Sequence, residues 1–235
     1  MAAGSLGVRR AVIGGDGSWR RSRRLCFNEG RAGEDPVGNS PCSSSNMKTL
    51  VAVLVFAAAC SGADRIVEGT PSSPVRVVIY EDLQCPDCAV FRQMMDQRIL
   101  PKYGATVAFE HRDFPLPKHK WARRAAMAGR YFESVNPKTA IEWRRYTLGH
   151  LPEINPENFS EKLTAWAKQH GADPAKVLAA LEDKALAALV EEDYQDGIAR
   201  GIAHTPTVLV NGEPFVETFT YEEIAGSLDK ALSGR

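Results

Sequence analysis

The chain has 235 residues, of which 44% are hydrophobic and 25% charged, enough for one ordinary globular core with additional segments. Its formal net charge is zero. Residues 1–46 contain seven arginines and four acidic residues, so the remainder carries 22 basic and 25 acidic side chains, a balance of −3. This balance, without a basic tract after residue 46, argues against a nucleic-acid-binding protein.

The first 46 residues are rich in Arg, Gly and Ser and show no sustained apolar periodicity. This composition predicts upstream sequence that is translated from an early start codon and is not native to the protein. The alternative is a disordered or targeting extension.

Residues 47–62 have the features of an export signal. Met47-Lys48-Thr49 supplies a basic start, residues 50–59 are apolar, and small residues follow. The apolar run is too short for a comfortable membrane span. We therefore predict a signal peptide at residues 47–62 and an exported domain at residues 63–235.

Cys60 closes this signal within Ala57-Ala58-Ala59-Cys60-Ser61-Gly62, which resembles a bacterial lipoprotein signal. The resemblance implies cleavage before Cys60 and lipid attachment to its sulfur, which would anchor the domain at a membrane surface. Ala57 departs from the pattern, because a larger aliphatic residue usually stands at that position. Ordinary cleavage after Ala59 or Ala63 remains open, and cleavage after Ala59 would leave a soluble protein with a spare thiol.

A β-type run at residues 77–80 leads to the most informative motif of the chain, Cys85-Pro86-Asp87-Cys88. Two thiols at this spacing can close a disulfide or exchange it with another protein. Apolar residues then recur at helical spacing, and we expect Pro101 to end that helix. The recurring residues are Phe91, Met95 and Ile99.

The start of a helix gives the two cysteines different roles. Unpaired N–H groups and the positive end of the helix dipole favour a thiolate at Cys85, the predicted attacking sulfur. Cys88, one turn later, is the predicted resolving partner. Pro86 suits the first helical turn. The carboxylate of Asp87 opposes a second negative charge, so we expect a less depressed thiol pKa than a His there would give.

The same spacing occurs in structural disulfides and in half of a zinc site. A common zinc site needs a second cysteine pair or suitably spaced histidines, and neither follows the signal segment. The spacing therefore favours redox exchange with no metal and no cofactor besides a Cys85–Cys88 disulfide. We expect no functional role for the remaining histidines of this region, His111, His119, His150 and His170.

The pattern after the cysteine helix is a second β-type run at residues 105–111 and then helical signals from about residue 119 to 200. Strand, helix and strand in this order predict a βαβ unit. Asp173-Pro174 reads as a helix cap with a first-turn proline. Strands at residues 207–210 and 214–216, joined by Asn211-Gly212, and a helix from Tyr221 to Leu232 complete the domain.

Three segments together resemble the DsbA-like branch of the thioredoxin superfamily, over about Val75 to Leu232. They are the strand into Cys85-Pro86-Asp87-Cys88, residues 109–116, and Thr205-Pro206 with the strand and turn that follow. The resemblance implies an α/β thioredoxin-like fold, a central mixed sheet flanked by helices, with an all-helical subdomain inserted at about residues 119–200. It also implies a cis Pro206 beside the cysteine pair, where Thr205 and Pro206 shape the site for a client polypeptide.

Two acidic residues and a histidine near the motif are further candidates for the active site. Thioredoxin-like proteins commonly carry a buried acid six residues before the first cysteine, where this chain has Ile79. Glu81 and Asp82 lie closer to the cysteines, and our expectation is that both are solvated loop residues. Proton transfer at Cys88 then uses Glu81, water or no dedicated group. His204 either reaches the active site, where its charge would favour the thiolate, or is a surface histidine.

The sequence thus predicts an exported, periplasmic or extracytoplasmic thiol–disulfide oxidoreductase of the DsbA-like type that acts as a dithiol oxidase. Its predicted partners are client proteins with cysteines and a membrane or soluble redox partner that resets the pair. A disulfide reductase or isomerase is an alternative, because direction depends on the reduction potential. A non-catalytic, lipid-anchored binding module is an alternative of a different class.

Overall fold

The computed structural model describes residues 65–234, so the predicted extension, the signal segment and Cys60 lie outside the described residues. The described part contains a five-stranded sheet with strand order β1-β3-β2-β4-β5. The strands are β1 (Val67–Gly69), β2 (Arg76–Glu81), β3 (Ala108–Asp113), β4 (Thr207–Val210) and β5 (Glu213–Val216). β2 and β3 are parallel and the other pairs are antiparallel, which makes the sheet mixed.

The helices fall into two sets. α1 (Pro86–Met94), a π-helical segment (Met95–Ile99) and α2 (Leu100–Tyr103) connect β2 to β3, and α8 (Tyr221–Ser233) follows β5. Five helices lie between β3 and β4, namely α3 (Ala122–Val135), α4 (Pro137–Gly149), α5 (Phe159–Gln169), α6 (Pro174–Ala180) and α7 (Lys184–Ala199). None of the helices within residues 65–234 has the length and apolarity to cross a bilayer.

This architecture confirms the predicted thioredoxin-like fold with inserted helices. The predicted local signals are also present: Asp173 caps α6 by accepting from the Ala175 N–H. Asn211 and Gly212, with φ of 48° and 88°, form the tight turn between β4 and β5. A left-handed conformation at both central residues is what a two-residue hairpin requires, and Asn and Gly adopt it most easily.

The predicted end of the cysteine helix at Pro101 is wrong. Helical structure continues through Pro101 to Tyr103, and the Gly104 N–H makes the last helical bond to the Leu100 carbonyl. The chain is wound as a π-helix immediately before Pro101. A wider turn accommodates the proline ring and its missing N–H, which would otherwise break an α-helix.

The sheet and the inserted helices have separate apolar clusters. Val77 and Ile79 of β2 pack in one cluster with Phe91 of α1 and Ile224 of α8. A second cluster fills the inserted helices and includes both cysteines. The insertion therefore packs directly against the Cys-x-x-Cys motif.

Candidate active site

Cys85 lies where β2 has ended and α1 begins. It is the N-cap residue, with extended backbone dihedrals, and Pro86 is the first helical residue as predicted. Both cysteines are thiols, and Cys85 is 4% and Cys88 0% exposed. The motif thus places one sulfur at the free N–H groups of a helix and the other inside the protein.

The two thiols have opposite acidities. A hydrogen bond from the Cys88 thiol, with smaller contributions from Thr205 and the backbone N–H groups of Cys88 and Asp87, lowers the pKa of Cys85 to about 6 although burial raises it. Burial, the hydrogen bond to Cys85, and the charges of Cys85 and Glu81 raise the pKa of Cys88 well above its usual value. Near neutral pH, these shifts favour a thiolate at Cys85 and a protonated thiol at Cys88.

The Thr205–Pro206 peptide bond is cis, as the resemblance implied. The Cys85 thiol donates to the Thr205 carbonyl oxygen at 3.3 Å. The Thr205 hydroxyl is buried and has no partner among the described residues, so it is free to donate to the Cys85 thiolate. The structure thus brings Thr205 and Pro206 to the cysteine pair, while their role toward a client remains a prediction.

Asp87 and His204 are peripheral. The Asp87 side chain is exposed, so water screens its charge from Cys85. The His204 side chain is 58% exposed and pairs with Glu217 at 3.0 Å, which supports the surface alternative for this histidine.

The expectation that Glu81 and Asp82 are solvated is wrong for both, since they are 3% and 0% exposed. The inserted helices cover this end of β2. The Arg144 guanidinium of α4 donates to Glu81 Oε1 at 2.8 Å. His111 of β3 lies 2.7 Å from the same carboxylate oxygen.

His111 links two buried carboxylates, a structural contact that the sequence analysis does not predict. Its Nδ1 faces Glu81 and its Nε2 lies 3.0 Å from Glu68 Oε1. Carboxylates only accept, so both ring nitrogens carry protons. Burial would lower the pKa of His111, but the two glutamates outweigh it and raise that pKa. Burial would raise the pKa of Glu81, but the imidazolium and Arg144 outweigh it and lower that pKa.

This ion network continues away from the cysteines. Arg144 also donates to Asp113 of β3 at 2.6 Å, and Arg130 of α3 bridges Asp113 and Asp193 of α7. Arg92 of α1 pairs with Glu68. The inserted helices therefore supply most of the cations for acids at the carboxyl ends of β2 and β3.

Asp82 forms a separate buried pair. Its carboxylate lies 2.7 Å from Nδ1 of His119, which precedes α3. No local pattern connects these two residues, which lie 37 positions apart in the chain. The contact between Glu81 and His111 could have been predicted from the sequence. Parallel pairing of the two predicted strands places these residues two positions apart in register.

A groove of about 560 Å³ opens beside the motif. Gln84 and Pro86, which flank Cys85, form one wall, and apolar residues of the insertion, such as Trp121 and Leu151, form the other. Within residues 65–234, no three His, Cys, Asp or Glu side chains are grouped as metal ligands.

We predict that alkylation of reduced protein by iodoacetamide follows the Cys85 thiolate, with a rate that rises through a midpoint at about pH 6. Thr205→Val should move this midpoint to higher pH, because the thiolate loses a hydroxyl donor. Thr164→Val, in α5, is the matched control and should leave it unchanged. An unchanged midpoint in Thr205→Val would show that the hydroxyl does not stabilise the thiolate.

The mixed sheet, the cysteine pair at a helix start and the facing cis proline define a thioredoxin-fold dithiol protein. A family model described as "Thioredoxin" matches residues 62–230. The disulfide bond formation protein D of Bacillus subtilis is 25% identical over 175 residues, with 72% of this chain and 78% of that protein covered. The crystal structure of oxidised BdbD from Bacillus subtilis has a TM-score of 0.63 at 25% identity, covering 72% of this chain and 93% of that one.

The chain therefore belongs to the thioredoxin family, and within it the chain is similar to DsbA-like proteins. It is also similar to the Na(+)/H(+) antiporter NhaA 1 of Salinispora arenicola, with 26% identity over 170 residues and 72% of this chain covered. It spans only 25% of that antiporter's length.

Proposed function

We propose that this protein exchanges disulfides with exported client proteins through Cys85 and Cys88 and acts as a dithiol oxidase. The observation that carries the proposal is the asymmetry of the two thiols, a pKa of about 6 at Cys85 and a strongly raised pKa at the buried Cys88. A client thiolate attacks Cys85 of the disulfide form, and a second client thiol then releases the client disulfide. No cofactor besides the cysteine pair is needed.

The oxidase direction follows from the stability of the reduced form. A thiolate that is stabilised at neutral pH makes the dithiol state more favourable, so the disulfide state is the stronger oxidant. The name of the Bacillus subtilis relative, a disulfide bond formation protein, agrees with this direction. A membrane or soluble redox partner must then reoxidise the pair.

The client site is proposed to lie between the cis proline and the groove beside Cys85. Thr205 and Pro206 border Cys85 on one side, and the apolar groove that contains Trp121 borders it on the other. An extended client segment disulfide-bonded to Cys85 would lie against both. We further propose that the domain works outside the cytoplasm, after export through residues 47–62, with Cys60 as a lipid attachment point.

The test is the equilibrium reduction potential of the cysteine pair in the full chain, titrated against glutathione. A value near about −120 mV is expected for an oxidant that introduces disulfides. A value near about −270 mV would identify a reductant and overturn the proposed direction. Cys85→Ser, which lacks the Cys85–Cys88 pair but keeps the other cysteines of the chain, provides the baseline.

A further inference from the structure

Asp82 contacts both cysteines through its backbone. Its N–H donates to Cys88 Sγ at 3.4 Å, and its carbonyl oxygen accepts from the Cys85 N–H at 3.0 Å. Asp82 directly follows the last residue of β2 and is fully buried. Asp82 thus bonds to both cysteines at the point where β2 ends and the chain enters α1.

The Asp82 carboxylate is held from two sides. Its Oδ1 accepts from the Gln84 N–H at 2.7 Å, within the same loop. Its Oδ2 accepts from the Leu116 N–H at 2.7 Å and lies 2.7 Å from His119 Nδ1, both in the segment between β3 and α3. The side chain is thereby fixed, and with it the direction of the Asp82 N–H.

That direction matters for one step of disulfide exchange. When a thiolate attacks Cys85 Sγ of the oxidised pair, a new S–S bond forms and the Cys85–Cys88 bond breaks. Its electron pair stays on Cys88 Sγ as a thiolate. Cys88 is fully buried, so water does not solvate this charge, and the charge of Glu81 opposes it. The Asp82 N–H is the donor that the structure places on this sulfur.

We infer that Asp82 is a positioning residue whose buried carboxylate aims its own N–H at Cys88 Sγ, where this N–H stabilises the departing thiolate. The inference rests on the proposed function, because it concerns the exchange step itself. A fixed donor aimed at a sulfur that gains charge in the transition state acts as an oxyanion hole does for oxygen. The reverse reaction, in which Cys88 attacks a mixed disulfide, passes through the same transition state, so the role holds for either redox direction.

The test uses Asp82→Asn and His119→Gln in the full chain. The probe is reduced glutathione, and its attack on the oxidised protein is followed by acid quenching, alkylation and mass analysis. Asn keeps one carbonyl acceptor, but its NH₂ group faces either the Gln84 N–H or the Leu116 N–H and His119. We expect the opening rate to fall about tenfold in Asp82→Asn and less in His119→Gln, which removes one of three contacts. His170→Gln, a histidine at the end of α5, is the matched control and should react as wild type.

If Asp82 only stabilised the fold, its replacement would affect the reactivity of Cys85 and of Cys88 alike. In the folded variants, the pH midpoint of Cys85 alkylation should stay unchanged while opening of the disulfide slows. If the wild type reacts rapidly and both variants open at the same rate as the wild type, the inference is overturned and the proposed function is not. The second outcome concerns the wild-type protein. If reduced glutathione attacks its disulfide no faster than it attacks glutathione disulfide, both the proposed function and the inference are overturned.

Discussion

Cys85→Ser is expected to abolish disulfide exchange with glutathione and with a reduced client protein, down to the rate of buffer alone. The hydroxyl of serine is not ionised at neutral pH and cannot form the mixed disulfide. The other cysteine of the motif, Cys88, is buried and its pKa is raised, so it does not substitute as a nucleophile. The measurement is the rate of disulfide formation in a reduced, unfolded client, with client thiols counted at each time point.

Cys88→Ser is the matched variant and should behave differently. Cys85 remains available to attack an external disulfide, but the resolving sulfur of Cys88 is missing. A mixed disulfide with glutathione or client should therefore accumulate and be visible by mass. Accumulation in Cys85→Ser instead would reverse the roles of the two cysteines, and catalysis by both variants at the wild-type rate would contradict the proposed function.

Arg144→Met is expected to lower the free energy of unfolding by roughly 3–5 kcal/mol, because it removes a buried cation that two buried carboxylates share. Arg144 is buried and bonds both Glu81 and Asp113. Methionine fills much of the same space, so loss of volume contributes little. The measurement is urea unfolding of the reduced protein at pH 7, with wild-type and variant m-values compared.

The control is the adjacent Arg145→Met. Arg145 also bonds acids, Glu68 and Asp96, but its side chain is 40% exposed. Water compensates its loss, and we expect a change of less than about 1 kcal/mol. Equal losses in the two variants would mean that burial of the Arg144 pairs does not govern their contribution.

The effect of Arg144→Met should also depend on pH. The pKa values of Glu81 and Asp113 are lowered in the folded protein, so their ion pairs stabilise it above the ordinary carboxyl pKa. This stability is lost as the pH falls through the folded-state pKa values. The difference between wild type and Arg144→Met should therefore narrow as the pH is lowered below about 4.

The fold was predicted from a family resemblance that three short segments of the sequence carry. The helix start at Cys85 and Pro86, the Asn211–Gly212 turn and the Asp173 cap each depend on residues within a few positions, and the structure confirms all three predictions. The helix end at Pro101 was misread because a π-helical turn, which depends on packing around the helix, accommodates the proline.

The polar surroundings of the site could not be read in the same way. Glu81 and Asp82 are predicted to be exposed, because charged side chains usually are. Their burial depends on partners far along the chain, such as Arg144 and His119, and on an insertion whose packing onto the sheet no local pattern encodes. Chemistry-bearing residues at short spacing were thus predictable, whereas the groups that set their environment were not.

The arginines of the inserted helices have a consequence for the autonomy of the sheet domain. Arg144 and Arg130 neutralise Glu81 and Asp113 at the ends of β2 and β3. A shortened protein that joined β3 directly to β4 would expose these acids to solvent or leave them buried without the arginines. The insertion is therefore an integral part of the folding unit, and a minimal version of this protein would need apolar or neutral residues at positions 81 and 113 before it could dispense with the helices.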